Sequence, residues 1–474
     1  MIRKQLLLVF LLLVTVSMLF SQQVESVAFI RGYDTAELSS QLGMPVQNGV
    51  DFYKIRYTTM GSDGHPDIAS GLIVLPQNSA PELPLIIYHH GTTVAPDRVP
   101  SSLNLDYEAY AWMGGNGYAV LAPDYLGLGD SRGFHPYVHK NTLASASIDM
   151  LKAFHQWAAL EDVALSGHLF LTGYSQGGFA GMATHQKLQK EYVGQFDVTA
   201  AAHLSGPYSL SGAMRDLMFS QENYNYIGFV PFAILGFQEV YGDVYNSLED
   251  IFRPDYVSFV ESFYQGALNL VELTVLMSLV SLQLFGNTHP VNVFNPDLVE
   301  AMLVDDDHPL NQILRENDAY NWTPEAPTRL WYCLGDDQVP PANSLVAFEA
   351  MQQNGAINLV AEDLGSSLNH TQCAEPAIMA ALEFFNSFVA VSIVENNDRE
   401  NHPIVFPNPV YDIIMIVPGR VGEDFHVVIS DLAGRVVLSA KNESRVDLSW
   451  LESGMYLLTL NGSGFSSTHK IYKR

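Results

Sequence analysis

Residues Leu169–Phe179 read LFLTGYSQGGF. The stretch predicts a short apolar strand, a tight turn and the start of a helix. The turn holds Gly173-Tyr174-Ser175-Gln176-Gly177, a G-x-S-x-G pattern. A serine on such a strand-to-helix turn projects its hydroxyl clear of the backbone, and small residues two before and two after let the chain fold that tightly. Three fixed positions in five recur by chance, so a glycine-rich turn with an incidental serine is the plain alternative. The flanks weigh against it: residues 168–172 are strand-like, and Gly178 onward reads as a packed helix start.

Working outward, Leu83–His90 (LPLIIYHH) and Gly117–Pro123 (GYAVLAP) are continuous apolar runs of strand length. Such runs suit strands buried on both faces of a parallel sheet. Val198–Leu204 is a further strand. Thr142–Ala159 has helical spacing, with Ile148, Leu151, Phe154 and Ala158 on one face. Upstream, Phe52–Thr58 and Ala69–Leu75 predict an antiparallel pair around turn residues Ser62–Pro66. Strands alternating with helices imply right-handed crossovers and an α/β, doubly wound, mostly parallel sheet.

The rhythm breaks at Ser209–Trp322. About 110 aromatic-rich, helix-like residues stand where loops of ~2–6 are usual. An insertion there is expected to cap the carboxyl edge of the sheet, where ligands bind. The sheet resumes at Thr328–Leu334 and Ala356–Ala361, and Pro376–Phe388 is a closing helix. Val391–His402 is polar and reads as a linker. Beyond it, short strands at regular intervals (Ile413–Val417, Phe425–Ser430, Arg435–Leu438, Tyr456–Leu460, Thr468–Tyr472) predict a small β-sandwich.

A serine hydroxyl is a poor nucleophile at neutral pH and needs a base, itself oriented by an acid. Asp336 follows the strand Thr328–Leu334, and His370 follows Ala356–Ala361. The order Ser175, Asp336, His370 is the one expected of a nucleophile elbow in a doubly wound sheet. Asp337 competes with Asp336; the acid usually sits three before a valine such as Val339, which selects Asp336. His89, His90, His135 and His155 compete with His370. The first two belong to the loop where oxyanion donors are expected, and His155 lies on a helix face. Two backbone donors are also needed: the N–H of Gln176 and the N–H of Thr92, with Gly91 permitting close approach. Tyr174 and His90 flank this site and are expected to touch substrate. Asp124–Ser131 lacks the lysine of a phosphate loop and reads as a tight turn with Asp124 bonding backbone. Asp305-Asp306-Asp307-His308 lacks the alternating spacing of a calcium loop and reads as a solvated helix end. No metal and no cofactor are expected.

The chain has 474 residues and a net charge of −28, which speaks against a nucleic-acid partner. Residues 1–22 read as a secretory signal: Arg3 and Lys4, an apolar core Leu6–Phe20, then Ser21-Gln22. The core is shorter than the ~20 residues of a membrane span. Its removal takes away two positive charges and leaves −30. The two cysteines, Cys333 and Cys373, either pair in an oxidising compartment or stay as buried thiols.

These residues resemble a known family. YHHGTT (88–93), APDYLGLGDS (122–131), GYSQGG (173–178), GDDQVP (335–340) and NHTQC (369–373) are similar to stretches of α/β-hydrolases of the secreted lipase and esterase type. The resemblance implies an eight-stranded mostly parallel sheet, a helical cap, and hydrolysis of small-molecule or lipid esters through an acyl-enzyme. It makes Ser175 the nucleophile, Asp336 the acid, His370 the base, and Thr92 and Gln176 the oxyanion hole. The HGTT form departs from the HGGG loop of the hormone-sensitive lipase type. The C-terminal stretch, with FPNPV (406–410), ISDLAGR (429–435), Ser453-Gly454-Met455-Tyr456 and Lys470, resembles the sorting domain of the type IX (Por) secretion system of Gram-negative bacteria. It implies a partner in that machinery and a secreted or outer-surface location. The expected organisation is a signal peptide at 1–22, a catalytic domain at 23–390 with its cap at about 209–322, a linker at 391–402 and a sorting domain at 403–474. Two alternatives are a prolyl oligopeptidase-type peptidase, for which ~60 residues before Leu83 are too few to build a propeller, and a silent binding protein on a hydrolase scaffold.

Overall fold

The computed structural model describes residues 24–77, 79–396 and, further on, 404–406, 410, 413–417, 425–431, 434–452, 454–462 and 465–473. The expected signal peptide, the second half of the expected linker, and residues 407–409, 432–433 and Ser453 of the sorting motifs lie outside the described residues. Contacts divide the chain into two compact units, with the boundary after Phe385.

The first unit is built on nine strands: β1 (Val24–Tyr33), β2 (Val50–Met60), β3 (Pro66–Pro76), β4 (Leu83–His89), β5 (Ala119–Pro123), β6 (Leu165–Tyr174), β7 (Ala200–Leu204), β8 (Thr328–Tyr332) and β9 (Leu359–Asp363). Their order is β1-β2-β3-β5-β4-β6-β7-β8-β9. Pairings from β5 to β9 are parallel and those from β1 to β5 through β3 are antiparallel. The ninth strand, beyond the eight implied by resemblance, is β1. It is an edge strand with half its residues exposed and none buried, and its one apolar run, Val27–Ile30, is short and flanked by Glu25, Ser26 and Arg31. Every residue of β4 and β5 is buried, as their unbroken apolar sequences require.

The helices of this unit are α1 (Thr35–Leu42), α2 (Tyr107–Gly115), α3 (Lys140–Leu160), α4 (Gln176–Glu191), α5 (Arg215–Met218), α6 (Phe229–Tyr241), α7 (Pro254–Tyr264), α8 (Leu270–Phe285), α9 (Pro296–Val304), α10 (Pro309–Glu316), α11 (Ala342–Gln353) and α12 (His370–Asn396), the last running past the unit boundary. The predicted face of α3 is buried: Ile148, Leu151, Phe154 and Ala158 pack in one core with Ile55, Ile73, Ile87, Leu121 and Leu171 from five strands. Helices α5 to α10 form the insertion between β7 and β8. They share a second core with Tyr125, Leu128, Tyr137 and Phe179 beside the carboxyl ends of the strands. Glu272, the charge that interrupts the apolar run of α8, completes a capping box with Asn269 at its start.

Helix α12 begins at His370, six residues before the predicted start, and continues to Asn396 through the first half of the expected linker. The second unit carries a three-stranded sheet of β10 (Ile404–Phe406), β11 (Ile413–Val417) and β14 (Arg445–Asp447), and a four-stranded sheet of β12 (Phe425–Asp431), β13 (Val436–Lys441), β15 (Gly454–Gly462) and β16 (Phe465–Lys473). Ile414, Ile416 and Val446 of the first sheet meet Val427, Ile429, Leu458, Leu460 and Ile471 of the second in one apolar core, which is the architecture of a sandwich.

Candidate active site

The parallel register sets the ends of β4, β6, β7 and β8 side by side: His89 pairs with Gly173, Tyr174 with Leu204, and Leu204 with Trp331. The segments that follow these strands therefore open at one edge.

Ser175 stands alone between the last residue of β6 and the first of α4, at φ 61° and ψ −124°. A non-glycine residue there stores on the order of 1–3 kcal/mol of strain. The sequence meets that cost with its two glycines. A Cβ on Gly177 would run into the carbonyl oxygen of His89; one on Gly173 would meet the same oxygen and lie 2.6 Å from Gly177 C. The turn is thus pressed against the end of β4, and the Ser175 N–H is tied to Leu204 O at 2.9 Å. The Ser175 side chain is partly exposed. Among the described residues no hydrogen bond joins its hydroxyl to His370.

His370 Nδ1 lies 2.7 Å from Asp336 Oδ2, and both side chains are nearly sealed from solvent, at 7% and 1% exposure. The other oxygen of Asp336 accepts the N–H groups of Gln338 at 3.0 Å and Val339 at 2.8 Å. Asp337 is exposed and does something different. Its Oδ1 accepts the main-chain N–H of His370 at 3.2 Å, and its Oδ2 accepts the Tyr226 hydroxyl of the insertion at 3.2 Å. Tyr174 donates its hydroxyl to His370 O at 2.6 Å. A disulfide joins Cys333 to Cys373, three residues before Asp336 and three after His370. It resolves the pairing that the sequence leaves open.

Gly91 passes close to the serine turn: a Cβ there would lie 3.4 Å from Tyr174 O and 3.9 Å from Ser175 Cβ. Thr92 is half-buried, and its hydroxyl bonds that of Tyr137 at 3.0 Å. Gln176 opens α4, where the first N–H groups of a helix have no acceptor within it. His90 is not placed as expected. It is fully buried, with Nδ1 2.7 Å from Gly91 O and Nε2 3.2 Å from Asp124 O, and its ring stacks on Tyr125 at 4.2 Å. Burial lowers its pKa to about 4. It props the loop from beneath and presents nothing to a substrate. Tyr174 is only 7% exposed, and its hydroxyl is engaged by His370 O. The rings of the other candidate bases are engaged elsewhere: His89 by Thr172 O and the Thr184 hydroxyl, His135 by Leu126 O and Gln176, and His155 against Phe196. Asp124 bonds Ser101 N and the Ser70 hydroxyl.

Asp305–His308 forms the approach to α10, with His308 capping Leu310 N and Arg315 bonding Asp306 O. Among the described residues no group of three His, Cys, Asp or Glu is placed to hold a metal ion. No described helix is long and apolar enough to cross a membrane. Sequence spacing does not reveal Tyr226 or Tyr137, nor that His135, a candidate base in the sequence, instead meets the Gln176 side chain, because each reaches the site from a remote segment.

The sheet, its capping insertion and this edge define a hydrolase of the lipase and esterase type. The chain belongs to the secretory lipase family, whose model matches residues 103–386. Residues 404–474 match a secretion system C-terminal sorting domain. The protein is therefore secreted or held at the outer surface of a Gram-negative cell. A putative hydrolase from Legionella pneumophila is similar in structure with a TM-score of 0.70 and 28% identity, over 77% of this chain and 98% of that one. The rice cell wall degrading esterase LipA from Xanthomonas oryzae is similar with a TM-score of 0.66 and 26% identity, over 79% and 97%. Candida antarctica lipase A shares the fold, at a TM-score of 0.56 and 15% identity. No curated protein matches the chain in sequence.

Proposed function

We propose that the protein is a serine carboxylic-ester hydrolase that works through an acyl-enzyme. Ser175 Oγ attacks the ester carbonyl carbon while His370 Nε2 takes its proton. Asp336, on Nδ1, holds the ring in the tautomer that leaves Nε2 free and stabilises the imidazolium that forms. The carbonyl oxygen becomes an oxyanion between the N–H groups of Thr92 and Gln176, the latter at the positive end of α4. The C–O bond then breaks, and the alcohol leaves with the proton from His370. Water attacks the acyl-enzyme, giving its proton to His370, and Ser175 is released with the carboxylic acid. The observation that supports this reading most is the 2.7 Å contact of Asp336 with His370 at the sheet edge that carries the Ser175 turn.

The aromatic insertion, with Tyr224, Tyr226, Phe229 and Phe232 packed together, favours apolar acyl or aryl esters. The sorting domain is read as an address for the type IX machinery, not as part of the reaction. Hydrolysis of a p-nitrophenyl ester chain-length series tests the proposal. Turnover with a preference for apolar acyl groups is expected. Cleavage of Xaa-Pro amides without ester turnover would favour a peptidase, and turnover of neither would favour a binding protein.

A further inference from the structure

Gln176 and Thr92, the two oxyanion donors of the proposed reaction, lie in different segments, and the side chain of each makes a hydrogen bond. The Gln176 side chain is 1% exposed, and its Nε2 lies 2.7 Å from His135 Nε2. His135 Nδ1 lies 2.8 Å from Leu126 O, so it must carry the ring proton. The Nε2 atom is then an acceptor, and the Gln176 amide donates to it. Gln176 Oε1, by contrast, is buried with no partner. One bond therefore orients this buried amide. The Thr92 hydroxyl is held by the Tyr137 hydroxyl at 3.0 Å.

His135 and Tyr137 are two residues apart, and the Tyr137 N–H closes a turn on His135 O at 2.7 Å. The insertion bears directly on them. Phe232 of α6 stacks on the Tyr137 ring at 4.3 Å and meets the His135 ring at 5.8 Å. A Cβ on Gly236, one turn along α6, would come within 2.6 Å of Tyr137 N and 3.2 Å of His135 O. The helix thus has no slack against this turn.

We propose that His135-Pro136-Tyr137 is a brace that positions both oxyanion donors, His135 through the Gln176 side chain and Tyr137 through the Thr92 hydroxyl, and that α6 of the insertion sets the brace. These are positioning residues: neither touches the reacting atoms. The inference rests on the ester-hydrolase reading. A donor displaced by a fraction of an ångström serves the transition state worse than the ground state, so kcat falls while KM holds.

Steady-state ester kinetics of Tyr137→Phe, His135→Leu, His135→Gln and Gly236→Ala test it, with a thermal melt of each. Tyr137→Phe removes one oxygen. It is expected to lower kcat about 10- to 100-fold with KM nearly unchanged, and to slow phosphonate inactivation in parallel. His135→Leu should do the same. His135→Gln, which restores an acceptor, should recover part of the loss. Gly236→Ala should lower kcat although it touches neither donor. Wild-type kcat in the Tyr137 and His135 variants overturns the brace, as does a loss that tracks melting temperature with glutamine no better than leucine. A wild-type chain that turns over no ester overturns the hydrolase reading, and the brace falls with it.

Discussion

Asp336 grips the ring of His370, with Oδ2 2.7 Å from Nδ1 and Oδ1 pinned by two backbone amides. Its neighbour Asp337 holds the same residue by the main-chain N–H. Adjacent acids thus divide the work of orienting one histidine. In Asp336→Asn the amide cannot enforce the working tautomer, and kcat is expected to fall ~10⁴-fold. Asp337→Asn keeps an acceptor oxygen for the His370 N–H, and a loss under about 10-fold is expected. The reverse order, read from ester kinetics of the two variants, would assign the acid to Asp337.

The disulfide ties the loop of Asp336 to the helix of His370. Cys333 and Cys373 are 40 residues apart and both fully buried. In a chain-entropy account, closing a loop of that length contributes ~4 kcal/mol. A Cys333→Ser, Cys373→Ser double variant should melt at a lower temperature than the wild type and lose kcat before it unfolds. Calorimetry showing an unchanged midpoint would remove the disulfide from the account.

Acid should destabilise the fold. Burial lowers the pKa of His89 and His90 to about 4 and of His135 and His185 to about 3. Each depressed group contributes stability that is complete above its unfolded value near 6.5 and is lost as pH falls toward its folded value, at about 1.4 kcal/mol per pH unit. Asp106 has the opposite sign. Burial raises its pKa from 3.8 to about 6, so its contribution is complete below pH ~4 and is lost as pH rises through 6. The pKa of His139 is lowered to about 4 as well, those of Asp124 and Asp318 are raised like that of Asp106, and the buried histidines outnumber the buried acids, so urea midpoints should fall from pH 6.5 to 4. Asp106→Asn isolates the opposite effect: it should stabilise at pH 7 and leave stability unchanged near pH 4. A difference independent of pH would show that Asp106 does not carry this charge cost.

The parallel core was legible because β4 and β5 are apolar without interruption, and the serine turn because its glycines are imposed by contact with His89 O. The insertion was visible as a broken rhythm between β7 and β8. Edge strand β1 is not legible because no residue of it is buried and its four apolar residues, Val27–Ile30, sit among Glu25, Ser26 and Arg31 with no period of two. The burial of His90 is not legible because position in a loop says nothing about which way a side chain turns, and here it turns under the chain to Asp124 O. The contacts of Tyr226 and Tyr137 span about 110 and 45 residues, and no local pattern records them.

Covalent labelling of Ser175 by an organophosphonate tests the central claim most directly. The wild type should gain one adduct by mass spectrometry, mapped to the peptide containing Gly173–Gly177. Ser175→Ala should gain none, with kcat lowered ~10⁴- to 10⁶-fold. Labelling retained in Ser175→Ala, or an adduct on another residue of the wild type, would contradict the account.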